Sequence, residues 1–245
     1  MHFAVFFVVL VGGVIFLSLI LRIFFLLKES KFDGSSHFTL QLSEQGGRVQ
    51  YISFSPQNSS IGILTFKNTS FPLEIPIDAK TSSTSEIESK NLKPFFLKMM
   101  FDFRNQKEVN FIDFFRFFIF SQTIKENAIS QVLISQYSDK AKVDSITSTF
   151  FVDPRIQEEK LNIEVINATE VYGLGNKLAN LISNTGANVV LVSTGDLKKV
   201  SLIEYSEPSY TVEKLSKILK FKKIKTSKKS LADVTLIIGD NYVVH

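Results

Sequence analysis

Apolar residues follow three different rhythms along this chain. From Phe3 to Leu21 they are continuous: FAVFFVVLVGGVIFLSLIL runs 19 residues without a charge, and IFFLL carries the run to Leu27 past Arg22. A helix rising about 1.5 Å per residue needs roughly 20 such residues to cross the hydrocarbon of a bilayer, so residues 1–27 are expected to form a transmembrane anchor. A cleavable signal would show a shorter apolar core, a basic leader and a small-residue cleavage site. The run shows none of these, so the anchor is expected to remain uncleaved. The segment KESKFDGSSH at 28–37 is polar and turn-rich and reads as a juxtamembrane linker.

The second rhythm is alternation. FTLQL, RVQYISFS, SIGILTF and FPLEIPI alternate apolar and polar positions with β-branched or aromatic residues, separated by Gly-Gly and Pro-Gln-Asn-Ser, and are expected to be strands. AKTSSTSEIESK at 79–90 is expected to be an exposed loop. Two Phe-rich segments follow, LKPFFLKMMFDF and NFIDFFRFFIFSQT. In the second, Phe111, Phe114, Phe115 and Phe118 recur at helical spacing, with Ile112 and Ile119 widening the stripe. That stripe fits a core helix, or the wall of a lipid-chain pocket, or a helix lying on a membrane surface. It is too short to span a bilayer.

Around FFVDPRIQEEK, at 150–160, the chain turns polar about a proline, which divides residues 38–150 from a second domain at 161–245 across a linker at 151–160. Beyond it both periods occur in turn: strand LNIEVINAT, helix GLGNKLANLISN, strand NVVLVST, strand SLIEYS, helix PSYTVEKLSKILKF, strand KIKTS and strand DVTLIIG. Leu174, Leu178 and Ile182 share one face of the first helix, and Gly186 is placed to end it. The second helix opens at Pro208 and turns Val212, Leu215, Ile218 and Leu219 inward. The order βαββαββ predicts a compact two-layer unit, and the whole chain is expected to be of mixed α/β (α+β) class.

Composition narrows the chemistry. There is no cysteine, which removes disulfides, thiolate metal sites and thiol nucleophiles, and the three histidines, His2, His37 and His245, are far apart in sequence. The net charge of +4 is concentrated: Glu213–Lys229 holds eight lysines and one glutamate, leaving the rest near −3. Lys214, Lys217 and Lys220 are spaced i, i+3, i+6 on the second helix, and Lys222, Lys223, Lys225, Lys228 and Lys229 continue past it. Such a cluster can grip the phosphates of a wall polymer or acidic lipid heads, or can simply be a solvated face. With Phe221 as the one interleaved aromatic, it lacks the stacking platform of a single-strand reader, and no nucleic-acid partner is expected.

Other motifs carry little. Gly173-Leu-Gly175 follows a strand and opens a helix, but Leu178 holds the third glycine position of a dinucleotide fingerprint and no acid occurs at 188–194, so a tight turn accounts for it. Glu158-Glu159 reads as a solvated pair. No G-x-S-x-G, H-E-x-x-H or P-loop is present. Sequons beginning at Asn58, Asn68 and Asn167 matter only in a eukaryotic secretory pathway.

The stretch IEVINATEVYGLGNKLANLISNTGANVVLVS, with ADVTLIIGDNY near the end, resembles the C-terminal domain of the LytR-CpsA-Psr proteins of the bacterial cell envelope; Asn167-Ala168-Thr169 stands where Asn-Gly-Thr is commoner. VQYISFSPQNSSIGILTFKNTSFPLEIP in turn resembles the opening of that family's catalytic domain, in which two strands lead into a Pro-Arg-Asp-Thr loop. Here the loop reads Phe66-Lys67-Asn68-Thr69. The resemblance implies an arginine that grips pyrophosphate in a fork, where Lys67 offers a single point of charge. It implies an acid where Asn68 can neither ligate Mg²⁺ as a carboxylate nor accept a proton. Arg104 and Arg116 are isolated in sequence. Residues 38–150 are accordingly expected to be a reduced, inactive relative of the catalytic domain.

The apolar run, the resemblance and the departures at Lys67 and Asn68 together lead to the expectation of a single-pass membrane protein with its soluble part outside the cytoplasm, acting as a non-catalytic accessory or binding protein of envelope biogenesis. No catalytic residue, metal or cofactor is assigned to it. Its expected partners are membrane lipid through the anchor, and an anionic cell-wall polymer or a polyprenyl lipid. The alternative, which the resemblance implies, is an active phosphotransferase moving glycopolymer from a polyprenyl pyrophosphate carrier to peptidoglycan with Mg²⁺. One signal opposes the orientation: Arg22, Lys28 and Lys31 all follow the apolar run, and the positive-inside rule taken alone puts the C-terminal bulk in the cytoplasm.

Overall fold

A computed structural model describes residues 2–44, 47–66, 74–102, 108–134, 140–227 and 231–242. The apolar N-terminal run forms one helix, α1 (His2–Glu29), whose Val5–Glu29 stretch contains an 18-residue window of mean hydropathy 2.7 with no buried part, so it is long and apolar enough to span a membrane.

Alternation then builds a meander, β1 (Phe38–Glu44), β2 (Val49–Ser55) and β3 (Ser60–Phe66), paired antiparallel with Phe38 opposite Phe54 and Val49 opposite Phe66. Two further strands join its edges in parallel, β4 (Ala79–Ser83) on β1 and β5 (Ile129–Ile134) on β3, giving the order β4-β1-β2-β3-β5. The fourth strand is a correction. Among the described residues Glu74–Ile77 is not a strand, and the strand lies instead in the serine-rich segment expected to be a loop. Ala79, Thr81 and Ser83 turn inward with period two, so small polar residues are held in place by the ladder to β1 rather than by their own hydrophobicity.

The two faces of this sheet are covered differently. α2 (Leu92–Met100) and α3 (Phe111–Thr123) pack on Leu40, Leu42, Ile52, Phe54, Ile61 and Ile63, while α4 (Lys140–Phe150) covers Leu64 and Phe66 through Val143. Phe117 is at the centre of the first layer, stacked on Phe54 with ring centroids 4.4 Å apart and on Phe32 at 5.0 Å. Such pairs add to simple area burial. Gly62 faces α4 because the Phe150 ring would lie 2.5 Å from any Cβ placed there.

Residues 28–37 are not a free linker. Phe32 is fully buried among Phe38, Phe54, Phe117 and Phe120. Asp113, fully buried near the start of α3, accepts hydrogen bonds through Oδ1 from Ser30 Oγ (2.8 Å), Lys31 N (2.8 Å) and Phe32 N (2.9 Å), and through Oδ2 from Asn110 N (2.9 Å). Arg116, isolated in sequence, donates to Ser30 Oγ and to the Phe32 carbonyl, and Asn110 Nδ2 donates to the Leu26 carbonyl inside α1. The exit from the apolar helix is thereby tied to α3.

The segment after Phe150 contains a short helix, α5 (Pro154–Glu159), capped by Asp153, whose Oδ1 accepts from Arg155 N at 3.0 Å, and closed by Lys160 at φ 50°. Then come β6 (Asn162–Asn167), α6 (Leu174–Ser183), β7 (Asn188–Thr194), β8 (Leu202–Tyr205), α7 (Tyr210–Leu219), β9 (Lys222–Lys225) and β10 (Val234–Ile238), in the βαββαββ order expected. The sheet order is β7-β6-β10-β8-β9, with β8 antiparallel to β10 and every other pair parallel. α6 and α7 bring Leu174, Leu178, Ile182, Val212, Leu215 and Leu219 onto one face of that sheet. Gly186, at φ 90°, terminates the α6 turn as expected. α7 starts slightly later than Pro208, where Ser209 Oγ accepts from Val212 N.

Asp113→Ala is expected to cost about 3 kcal/mol or more in stability, because three backbone N–H groups lose a charged acceptor. Denaturant unfolding in detergent measures the loss, and hydrogen exchange at residues 30–32 should rise selectively.

Candidate functional site

The two α/β layers meet along a polar seam that the sequence gives no local sign of. Lys214, on α7, points away from solvent into the first domain, where its Nζ donates to the His37 carbonyl (2.6 Å) and to Asp78 Oδ1 (2.7 Å). The other Asp78 oxygen accepts from Thr39 N at 2.8 Å. His37 is buried with Nε2 2.9 Å from Ser53 Oγ. Ser53 spends its own proton on the Phe150 carbonyl (2.6 Å), so the imidazole donates and carries its hydrogen on Nε2. Burial first, and then the neighbouring Lys214 ammonium, push its pKa down to about 4, against the opposing pull of Asp78 and Asp153, and the ring is neutral at pH 7.

A second set of contacts joins α5 to α7. Glu159 accepts Tyr210 N and Thr211 N, both at 2.8 Å, and so caps α7 from outside its own sequence neighbourhood. Burial alone would raise its pKa, but these hydrogen bonds and nearby Arg155 outweigh it and hold the carboxylate below its ordinary range. Tyr210 donates its hydroxyl to Asp153 Oδ2 at 2.6 Å while the Arg155 guanidinium lies 3.8 Å over its ring. Asn184 Nδ2 donates to the Glu74 carbonyl, adding a tie from α6.

Beside this seam is a cleft of about 820 Å³, closed by the first domain, by α6 and α7, and by Lys28, Glu29, Ser30 and Lys31 at the end of α1. Its floor is apolar, made of Ile75, Ile77, Leu181, Ile218, Phe221 and Tyr242. Its walls carry six lysines, Lys28, Lys31, Lys80, Lys177, Lys217 and Lys220, against four acids, Glu29, Glu74, Asp78 and Glu108. Asp78 is occupied by Lys214, and Glu108 accepts from Lys31 Nζ (3.3 Å) and Lys80 N (2.9 Å). Among the described residues, the ammonium groups of Lys28, Lys80, Lys177, Lys217 and Lys220 make no hydrogen bond or ion pair, although Lys220 lies within electrostatic reach of Glu108. A smaller recess of about 220 Å³ adjoins it at His37, Arg155 and Tyr210.

The structure divides the predicted lysine cluster. Lys214 is the buried lock and does not belong to a polyanion-gripping face. Steps of three residues on a 3.6-residue helix fall back by about 60° each, so i and i+6 look in different directions. Lys217 and Lys220 line the cleft, Lys222 and Lys225 are exposed on the edge strand β9, and Lys223 pairs with Glu213. Lys228 and Lys229 lie outside the described residues, as does the Lys67-Asn68-Thr69 loop.

The predicted lipid-pocket phenylalanines line neither cleft. Phe114 is fully buried, Phe111 and Phe118 pack half-buried against the same core, and Phe115 faces out at 45% exposure. α3 is a core helix centred on Phe114 and Phe117, because its buried face runs through Asp113, Phe117 and Ser121 rather than along the Phe115 side. Glu159, read as solvated, is the α7 cap. Among the described residues no three His, Asp or Glu side chains converge to hold a metal ion.

Residues 160–242 match the family model described as LytR cell envelope-related transcriptional attenuator, a span that takes in the whole second sheet and about a third of the chain. The second domain is thus similar to a LytR-type C-terminal domain. No curated protein and no solved structure matches the chain.

Two outcomes follow from the seam. Between pH 6.5 and 4 the unfolded chain protonates His37 while the native state does not, so its contribution to stability is full above 6.5 and falls by about 3 kcal/mol as the pH drops to 4. Denaturant midpoints across that range should show the slope, and His37→Gln should flatten it. Lys214→Ala should cost about 3 kcal/mol by leaving Asp78 inside without its cation, and limited proteolysis should then cut within 150–160.

Proposed function

We propose that this protein is a membrane-anchored, non-catalytic binding protein of the bacterial cell envelope, with its soluble part outside the cytoplasm. The observation that supports the reading best is the placement of the LytR-type domain: α6 and α7 close a lysine-walled cleft against the residues that leave the apolar helix. Such a cleft is built to hold a ligand at the bilayer surface. The ligand classes in keeping with the envelope are an anionic wall polymer or a polyprenyl lipid.

The non-catalytic part of the proposal rests on chemistry legible in the sequence. Where the resemblance implies an arginine fork and a carboxylate, Lys67 and Asn68 supply an ammonium and an amide. The same reading treats residues 38–150 as a reduced relative of a catalytic domain.

Protease added to intact cells carrying the full chain with a C-terminal tag should remove the tag. Protection of the tag would instead place the soluble part in the cytoplasm, in line with Arg22, Lys28 and Lys31, and would overturn the orientation. The purified full chain, given a polyprenyl-pyrophosphate-linked sugar, an acceptor glycan and Mg²⁺, should show no turnover; turnover lost in Lys67→Ala would establish the transferase.

A further inference from the structure

The cleft joins two surfaces with different demands. Four ammonium groups without a partner, with Lys220 beside Glu108, ask for an anion, and a hydrated anion has no use for a floor of Ile75, Ile77, Leu181, Ile218 and Phe221. A purely apolar ligand has no use for the lysines. Position supplies the third constraint. The apolar run ends at Leu27, and Lys28–Lys31 line the cleft, so its mouth is within one helical turn of the hydrocarbon boundary, at the depth of lipid head groups. Its volume, about 820 Å³, lies within the roughly 300–1,000 Å³ of sites that enclose a single small ligand rather than a length of polymer.

We propose that the cleft holds one anionic phospholipid of the leaflet at which α1 ends. The lipid slides in sideways past Lys28 and Lys31, its phosphate rests against Lys217, Lys220 and Lys80, and part of one chain lies on Ile77, Ile218 and Phe221. No covalent step is involved. Lys214 takes no part in binding, being committed to Asp78 and His37; it holds α7 in place so that Lys217, one turn further on, faces the cleft. The inference rests on α1 spanning a membrane and on the ligand-holding part of the reading above, and holds for either orientation.

The test uses the full chain in nanodiscs of phosphatidylcholine containing a minority of phosphatidylglycerol, released gently into native mass spectrometry. One phosphatidylglycerol per protein should be retained, far above its share of the leaflet. Lys217→Gln with Lys220→Gln should reduce retention at least about tenfold, the loss of two charge-assisted contacts. Ile218→Trp should do the same by filling the floor. Lys93→Gln with Lys98→Gln removes the same charge from the exposed side of α2, away from the cleft, and should leave retention unchanged. Circular dichroism confirms that each variant is folded, and the two routes to a blocked cleft, charge and volume, are independent.

Retention no better than the leaflet composition, or equal losses in the α2 variant, would overturn the proposal. So would release of the lipid by millimolar glycerol phosphate, which would make this a site for soluble phosphates. The protease assay on intact cells fails or succeeds separately: a chain facing the cytoplasm that retains phosphatidylglycerol refutes the envelope orientation and leaves the lipid site standing.

Discussion

The geometry of the cleft depends on one buried ammonium. Lys214 crosses from the second domain into the first and finds there a carboxylate and a carbonyl at hydrogen-bond distance, with a neutral imidazole behind them. A charge in that position is tolerable only when it is paired, and Asp78 with the His37 carbonyl pairs it across the two domains. Everything near the seam follows that pairing. α7 is oriented so that Tyr210 reaches Asp153, Glu159 closes its N-terminus, and Lys217 and Ile218 turn toward the opening.

The same seam explains why the second domain was legible in sequence and its partner contacts were not. Period and turn chemistry are local, and Leu174, Leu178 and Ile182 with Gly186 after them announce α6 without help from the rest of the chain. The LytR-like strand and helix pattern is local for the same reason. Lys214 with Asp78, or Glu159 with the α7 N-terminus, are pairs separated by long stretches of chain, and a lone lysine within a lysine-rich run carries no mark that it is the one turned inward.

In the first domain long-range pairing overrides local composition. β4 is held by its parallel ladder to β1 while its side chains are small and polar, so composition points to a loop and pairing makes a strand. Spacing sets the phenylalanine stripe on α3 one residue round the helix from the buried face, because nearly every position there is aromatic and spacing cannot choose a face when most faces are apolar. Asp113 settles the matter: its carboxylate must point at Ser30, Lys31 and Phe32, and that turns Phe114 and Phe117 inward and Phe115 out. The cleft itself was half visible. Lys217 and Lys220 stood out by charge, whereas the floor is assembled from residues of both domains.

Because Asn110 bonds into the last turns of α1 and Asp113 grips the next three residues, no slack separates the apolar helix from the body it carries. A spanning helix leans as the hydrocarbon around it thins or thickens. If α1 spans a bilayer, that stiff joint would deliver the lean undamped to everything downstream, and bilayer thickness would set the angle at which the lysine wall is held, as a mast carries its spar.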